Sequence, residues 1–136
     1  MQVQASETLG IHASEDIVTA RQEVRRRAVQ LGFSLVDQTK VVTACSELAR
    51  NTLDYGGGGS MLLETVQNGT RVGLRLTFED QGPGIPDISL ALRDGYTSGS
   101  GMGLGLGGAK RLSHEFDIQS EVGRGTTVCI LRWKGP

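Results

Sequence analysis

A glycine-rich run from Gly99 to Gly108 is the first feature of the sequence that suggests chemistry. Glycines let backbone N–H groups approach an anion closely, and a helix that begins behind them adds its positive end. The residues that follow, Ala109-Lys110-Arg111-Leu112, have the composition of a helix. Phosphate is therefore the ligand that the run suggests, although glycine-rich segments also serve as flexible connections.

A second cluster, Asp80-Gln81-Gly82-Pro83-Gly84-Ile85, follows an alternating apolar segment. An Asp at the end of a strand can simply form a turn, because it accepts hydrogen bonds from the backbone that follows it. Gly82 and Gly84 also open space for a flat ligand to lie against the backbone, where a carboxylate could accept a hydrogen bond from an exocyclic amine. The cluster thus has two interpretations, a turn and one wall of a binding site for a planar ring.

Glu47 and Asn51 form a third pattern, because residues four apart project from the same face of a helix. Asn is unfavourable inside a helix, since its amide competes for backbone hydrogen bonds. Its position beside an apolar stripe therefore calls for a reason other than helix stability. The alternative is a polar surface face on which Glu47 pairs with Arg50.

A fourth pattern, Gly123-Arg124-Gly125-Thr126-Thr127, precedes the last apolar segment of the chain. Glycines around one charged residue are typical of a hairpin loop, and threonines are good strand formers. The Thr hydroxyls are therefore expected at the start of the last strand.

Length, composition and charge restrict the class of protein. The chain has 136 residues, of which 38 % are apolar, and this predicts a single domain over residues 1–136 with one core. A net charge of −1 gives no electrostatic footprint for nucleic acid or for an anionic membrane. No apolar run approaches the roughly 20 residues of a membrane span, and the N-terminus lacks a signal-peptide pattern. We therefore expect a cytoplasmic protein that binds neither nucleic acid nor membrane.

Three helices are expected to position these residues. Ser14, followed by two acids, predicts a helix start, and apolar residues at helical spacing continue as far as Gly32, which predicts its end. A second helix is predicted from Asp37 to the glycines at 56–59, and a third from about Gly103 to about Glu115.

Alternating apolar residues predict the strands, and residues 80–102 are expected to form a loop. Asn68-Gly69 is a strong hairpin signal between two of the strands. The predicted strands cover residues 1–11, 61–67, 72–79, 116–121 and 126–133. This layout predicts an α+β fold, a two-layer sandwich in which a mixed, mainly antiparallel sheet is covered on one face by three helices.

Each pattern is ambiguous alone, but the order of the four along the chain is not. Glu-x-x-x-Asn on a helix, Asp-x-Gly-x-Gly-Ile after a strand, Gly-x-Gly-x-Gly-Leu-Gly, and Gly-Thr entering a strand resemble the N, G1, G2 and G3 boxes of the GHKL (Bergerat-fold) ATPases. The resemblance spans roughly residues 14–133. Within that superfamily, residues 46–51 and 80–88 look most like the small bacterial serine/threonine kinases of partner-switching modules, of which the stressosome is one. The anti-sigma-factor kinases are their nearest neighbours.

The resemblance implies a site for ATP and Mg²⁺. Glu47 would be the general base and Asn51 the Mg²⁺ ligand, roles that suit a carboxylate and a hard amide oxygen one helical turn apart. Asp80 would bind the adenine amine, and Arg50, Arg93 and Lys110 are candidate cations for the γ-phosphate. The residues assigned to nucleotide binding are Asn51, Asp80, Gly82, Gly84, Ile85, Gly101, Met102, Gly103, Leu104, Gly105 and Thr126.

The activity implied by the resemblance is that of an ATP-dependent serine/threonine protein kinase. Its substrate would be a Ser or Thr of a STAS-domain antagonist, and it would also activate a downstream PP2C-type phosphatase. Alternatives are an anti-sigma factor kinase that binds a sigma factor, and a binding module in which nucleotide only sets conformation. Because about 13 residues precede the first helix, we do not expect a histidine autokinase with its own dimerisation helix. The first helix and the N-terminal strand could form a homodimer contact.

Overall fold

A five-stranded sheet covered on one face by helices forms the framework of the computed structural model, which describes residues 1–93 and 105–135. The strand order is β1-β2-β3-β5-β4, and each of the four neighbouring pairs is antiparallel. The strands are β1 (Gln2–Ile11), β2 (Gly59–Asn68), β3 (Arg71–Asp80), β4 (Glu115–Glu121) and β5 (Gly125–Trp133). The expected α+β sandwich and its mainly antiparallel sheet are confirmed.

Two long helices make up most of the second layer. They are α1 (Ser14–Leu31) and α2 (Leu35–Arg50), and a single π-helical turn (Asn51–Tyr55) continues α2. Two short helices, α3 (Ile88–Ala91) and α4 (Leu106–Arg111), lie on either side of residues 94–104 in the sequence. None of the helices in residues 1–93 and 105–135 is long and apolar enough to cross a membrane.

The starts of both long helices differ in detail from the prediction. At α1 the capping group is Asp16 rather than Ser14, because its carboxylate accepts hydrogen bonds from the N–H groups of His12 (2.8 Å) and Ala13 (3.1 Å). Helix α2 begins before Asp37, since the Ser34 hydroxyl accepts a hydrogen bond from the Asp37 N–H at 3.1 Å and so caps an earlier start.

The glycine that ends α1 does what the sequence predicts. Gly32 adopts φ +85°, the left-handed conformation that closes many helices, and its N–H donates to the carbonyl of Val29 at 3.0 Å.

Helix α4 is shorter than the predicted helix from 103 to 115. Two of its residues, Gly107 and Gly108, are weak helix formers, and at His114 the backbone has left the helix and donates a hydrogen bond to Leu131 in β5 at 2.9 Å. The start predicted near Gly103 lies outside the described residues. Helix α3 was predicted as loop, and Asp87 caps it by accepting a hydrogen bond from the Leu90 N–H at 3.0 Å.

The core lies between the helices and the inner face of the sheet. Because side chains alternate along a strand, the inner face of β3 is formed by Leu74, Leu76 and Phe78, none more than 2 % exposed. The outer face carries polar groups, among them the ion pair of Glu64 and Arg75, whose Oε1 and Nε lie 2.8 Å apart. The sheet therefore offers two chemically different faces, and only the inner one meets the helices.

Candidate functional site

A row of three polar side chains lies at one end of the apolar inner face of the sheet. Asp80 ends β3, pairs across the strands with Thr126 of β5, and Thr126 in turn pairs with Ser120 of β4. All three occupy positions where strand alternation turns the side chain toward the helices, as it does for Phe78 and Ile118. We call Asp80, Thr126 and Ser120 the polar row.

The Asp80 carboxylate is held in a nearly closed environment. Only 4 % of the residue is exposed, and its Oδ1 accepts a hydrogen bond from the Gly82 N–H at 2.9 Å. Burial raises the pKa of the Asp80 carboxyl above its ordinary value, while the backbone N–H groups of Gly82 and Thr126 act in the opposite direction. A carboxyl group with a perturbed pKa beside a glycine turn is a candidate binding group.

The loop after β3 is tied to the polar row and to the β4–β5 hairpin. The Ile85 N–H donates to the Ser120 hydroxyl at 2.8 Å, and the Gly123 N–H donates to the Pro83 carbonyl at 2.8 Å. Gly84 adopts φ +77°, and a Cβ at this position would collide with the carbonyl of Glu121. Only glycine fits there without strain, which gives a physical reason for one glycine of the second cluster.

The π-helical turn joins this loop to α2. Its widened hydrogen bond, from the Gly56 N–H to the Asn51 carbonyl at 3.0 Å, brings Tyr55 and Gly56 out toward the sheet. The Tyr55 hydroxyl donates to the Gly84 carbonyl at 2.8 Å. A Cβ on Gly56 would collide with the Asp80 carboxyl group, so Asp80 depends on a glycine 24 positions before it.

Glu47 lies in the last turn of α2, and Asn51 is the first residue of the π-helical turn that continues it, with its N–H donating to the Glu47 carbonyl. Asn51 is 5 % exposed, and among the described residues its Oδ1 is a buried acceptor with no hydrogen-bond partner. Buried polar atoms are nearly always paired, and leaving one unpaired costs about 1–3 kcal/mol. An orphaned amide oxygen in a candidate site is therefore an acceptor available to a ligand.

The backbone at the end of the glycine run lies directly against Glu47. Gly105 adopts φ +69°, and a Cβ there would lie 2.5 Å from Oε2 and 3.0 Å from Cβ of Glu47. The run and the helix pair, which are separate patterns in the sequence, therefore meet in space. Four other candidate residues, Gly101, Met102, Gly103 and Leu104, lie outside the described residues.

The candidate site thus has two ends. We call Glu47, Asn51 and Gly105 the helix end, and the polar row with residues 82–85 the sheet end. Tyr55 and Gly56 connect them. The described residues that were assigned to catalysis or nucleotide binding are found at these two ends, whereas Arg50, Arg93 and Lys110, the candidate cations, belong to neither end.

The sequence patterns did not reveal three contributors, Tyr55, Gly56 and Ser120. Ser120 carried a signal, because it follows Phe116 and Ile118 at inward positions of β4 where another apolar residue is expected. Tyr55 and Gly56 had no sequence signal beyond the glycine run at 56–59, because the π-helical turn that positions them has no periodicity that a sequence could show.

A depression of about 380 Å³ lies near the sheet end. Its lining combines the polar row with residues of the outer face and of the β4–β5 hairpin: Glu79, Gln119, Thr127, Glu121 and Arg124. The carboxylates of Glu79 and Glu121 repel a polyanion. We therefore place the candidate phosphate contacts at the helix end and not in this depression.

Fold and site together define an ATP-binding domain of the GHKL class: a buried Asp at a strand end, a Glu-Asn pair on a helix and a glycine run that meets it. The chain belongs to the family described as histidine kinase-, DNA gyrase B-, and HSP90-like ATPase, whose model matches residues 36–135. Use of ATP follows from this membership.

The relatives narrow the class further. The chain is 48 % identical over 118 residues to the serine/threonine-protein kinase RsbT of Bacillus subtilis (strain 168), covering 87 % of this chain and 89 % of that protein. It is 30 % identical over 129 residues to the anti-sigma F factor of Geobacillus kaustophilus (strain HTA426), covering 88 % of this chain and 85 % of that protein. The resemblance stated from the sequence is therefore confirmed for the family and for the enzyme class, a protein serine/threonine kinase.

A solved structure confirms the fold independently. The RsbU and RsbW domains of Rv1364c from Mycobacterium tuberculosis match with a TM-score of 0.64 at 20 % identity, covering 98 % of this chain and 34 % of that one. At this identity the match supports the architecture alone.

Proposed function

We propose that the chain phosphorylates a Ser or Thr of a STAS-domain antagonist in a bacterial partner-switching module, and that it uses Mg²⁺-ATP to do so. The observation that carries the proposal is the helix end. A carboxylate, Glu47, lies against the backbone of Gly105 and one turn before the buried Asn51 amide oxygen, which has no hydrogen-bond partner in the described part of the chain.

The sheet end holds the adenine. The Asp80 carboxylate accepts a hydrogen bond from the exocyclic amine, and Thr126 contacts the base beside it. Gly84 lets the loop that borders the base pack against the β4–β5 hairpin, because a Cβ there would collide with the Glu121 carbonyl. Since Asp80 and Thr126 are already fixed by the backbone of two paired strands, binding costs little ordering of these groups.

The helix end carries the chemistry. Glu47 takes the proton of the attacking Ser or Thr hydroxyl as its oxygen forms a bond to the γ-phosphorus. The bond between that phosphorus and the β–γ bridging oxygen breaks, and ADP leaves with the electron pair. Phosphoryl transfer needs little covalent help from a protein, so holding the hydroxyl and the phosphate in line provides most of the rate enhancement.

The residues at the helix end fit a magnesium ion. Asn51 would hold it, since an amide oxygen is a hard ligand and its Oδ1 is buried without another partner in residues 1–93 and 105–135. Bound Mg²⁺ would neutralise charge on the phosphates. One protein ligand is in keeping with an ion that usually keeps several waters and binds chiefly through substrate phosphates.

Gly101, Met102, Gly103 and Leu104 complete the proposed phosphate contacts. Support comes from Gly105, the next residue, whose backbone lies against Glu47.

The test is transfer of label from radiolabelled ATP to a purified STAS-domain protein from the same organism. Glu47→Gln keeps size and hydrogen bonding but removes the base, so we expect the rate to fall by about 100-fold or more while the Kd for ATP stays within about 2-fold. Glu79→Gln is the matched control, because Glu79 is exposed and faces away from the helices. Label that never reaches the partner with the parent protein, or equal rates for Glu47→Gln and parent, would contradict the proposal.

A second candidate function is supported by the 30 % identity to an anti-sigma F factor, which would make this chain a sigma-factor-binding kinase. Activation of a PP2C-type phosphatase is a third candidate role that fits a partner-switching module. Pull-downs with a sigma factor and with a PP2C-type phosphatase, each in the presence of ATP and of ADP, separate these roles. A stable, nucleotide-dependent complex with the sigma factor would favour the second function.

A further inference from the structure

The Ser120 hydroxyl makes three polar contacts at the sheet end. It accepts a hydrogen bond from the Ile85 N–H at 2.8 Å, lies 2.7 Å from Oγ1 of Thr126, and lies 3.2 Å from the Gly125 carbonyl, to which it can donate. We propose that Ser120 is a positioning residue for adenine recognition, which fixes the orientation of the Thr126 hydroxyl and the place of Ile85. The inference rests on the proposed function, since it requires adenine to lie against Asp80 and Thr126.

A serine hydroxyl has one proton to donate and two lone pairs to accept with. The Ile85 N–H can only donate, so it occupies one lone pair of Ser120. The single proton of Ser120 then goes either to the Gly125 carbonyl or to Thr126.

Each of these two choices uses one hydrogen-bonding position of the Thr126 hydroxyl. If Ser120 donates to Gly125, the 2.7 Å contact requires Thr126 to donate to Ser120, which leaves Thr126 lone pairs for a base amine. If Ser120 donates to Thr126, the Thr126 proton is left for a ring nitrogen or a water. In both cases Ser120 occupies one hydrogen-bonding position of Thr126, either its proton or a lone pair, so what Thr126 can offer the base depends on Ser120.

The hydrogen bonds of Ser120 to Thr126 and Ile85 are shielded from water. Thr126 is 3 % exposed and Ile85 is 5 % exposed, so water competes little for either hydrogen bond. The bond to Ile85 also joins β4 to the loop that carries Gly84, 35 residues earlier in the chain. Ser120 therefore connects both walls of the proposed adenine site, one through a side chain and one through the backbone.

The experiment measures the Kd for ATP and for GTP by calorimetry in four proteins: the parent, Ser120→Ala, Thr126→Val and the double variant. We expect Ser120→Ala to weaken ATP binding by about 5-fold, the size of one or two net hydrogen bonds, and GTP binding by less than about 2-fold. Because Ser120 acts in part through Thr126, the double variant should lose less ATP affinity than the sum of the two single losses, and somewhat more than Thr126→Val alone.

Two further variants separate positioning from a merely structural role. Ser120→Thr keeps the hydroxyl and should restore ATP binding to within about 2-fold of the parent. Thr127→Val is the matched control for Thr126→Val, because Thr127 is the next residue of the same strand but faces the outer side of the sheet. If Ser120→Ala does not fold, as judged by urea unfolding, Ser120→Cys replaces it, since a thiol keeps the volume and only a weak hydrogen bond.

The outcomes distinguish the two claims. Equal ATP affinities for the parent and Ser120→Ala, or strictly additive losses in the double variant, would overturn the role of Ser120 and leave the proposed function standing. A parent protein that binds no adenine nucleotide would overturn the proposed function and the role of Ser120 together. Loss of ATP preference in Ser120→Ala with rescue by Ser120→Thr supports both.

Discussion

The two ends of the site satisfy their polar groups in different ways. At the sheet end, hydrogen bonds within the protein reach Asp80, Ser120 and the Ile85 N–H. At the helix end, the buried Oδ1 of Asn51 has no partner among the described residues. The sheet end is therefore arranged before any ligand binds. The helix end keeps a buried acceptor whose unfavourable desolvation is offset only when a ligand pairs with it.

The difference follows from the elements that build each end. Neighbouring strands hold the polar row in register, so its side chains are fixed by the ladder of β3, β5 and β4. The helix end combines the last turn of α2 with a glycine backbone from a distant part of the chain. We infer that the sheet end determines which base is bound, and that the helix end determines whether phosphate is transferred.

The largest expected effect is at Asn51. Asn51→Ala should reduce phosphoryl transfer by about 100-fold or more, because the proposed metal ligand is lost. The free energy of unfolding without nucleotide should not fall in proportion, since the Oδ1 that is removed has no hydrogen bond to lose within the described chain. Transfer assays measure the first effect, Mg²⁺ titrations of ATP binding by calorimetry test its cause, and urea unfolding measures the second effect.

Asn51→Asp serves as the matched control for that variant, because a carboxylate is also a hard oxygen ligand and should keep part of the Mg²⁺ dependence. Mg²⁺-dependent ATP affinity that is the same in Asn51→Ala and in the parent would remove the distinction between the two ends.

The next effect concerns the contact between Gly105 and Glu47. Gly105→Ala and Gly123→Ala both place a Cβ at positive φ, +69° and +83°, so each should cost about 1–2 kcal/mol of stability from the backbone alone. Only at Gly105 would the Cβ also meet a carboxylate, 2.5 Å away; at Gly123 it meets no atom of the described residues within 4 Å. We expect transfer to fall by about 10-fold or more in Gly105→Ala and to stay near the parent value in Gly123→Ala.

Kinase assays under single-turnover conditions measure the transfer rates of the two variants, and urea unfolding checks that their stabilities are similar. Equal activities in the two variants would mean that the backbone at Gly105 does not position Glu47.

The sequence predicts the elements better than the contacts between them. Period-two alternation and the glycine turns predict β2, β3, β4 and β5 to within two residues at each end. The spacing of Glu47 and Asn51 predicts a shared face, because that relation lies within one helix. Local patterns suffice wherever the deciding interactions are local.

Other features depend on residues distant in the sequence. The short helix α4 ends where His114 joins β5, and Asp80 is placed by Gly56, which no local pattern links to it. The π-helical turn widens a helix whose composition is otherwise ordinary. Ser120 is the intermediate case, since its inward position is visible in the alternation of β4 but its partners are not.

A smaller effect is expected at Asp80. Asp80→Asn replaces a charged acceptor with a neutral amide that accepts through one atom and donates through the other, so the hydrogen bond to the adenine amine is weakened and the preference for ATP over GTP should fall by about 10-fold. Competition between the two nucleotides for the parent and the variant measures the ratio. A parent protein with equal affinities for ATP and GTP would contradict the assignment of base recognition to the sheet end.

The smallest effect is on stability, and its sign follows from the pKa of Asp80. Burial raises the folded-state pKa above the unfolded value, so the folded state binds more protons between those two values. The contribution of Asp80 to the free energy of unfolding therefore decreases as pH rises through the folded pKa, and the carboxylate is a net cost at pH 7. Asp80→Asn should stabilise the nucleotide-free protein at pH 7 by about 1 kcal/mol, a typical size for a single substitution.

Urea unfolding from pH 7 down to pH 4 measures that gain, which should shrink as the parent carboxyl becomes protonated and uncharged. Asp117→Asn is the control, because Asp117 is exposed on the outer face of β4. If Asp80→Asn is both more stable and less selective, the buried charge of Asp80 destabilises the fold and is kept for base recognition. This would hold even though the hydrogen bonds of the sheet end are formed before the ligand binds. A destabilised Asp80→Asn would instead mean that the hydrogen bonds from Gly82 and Thr126 outweigh the cost of burial.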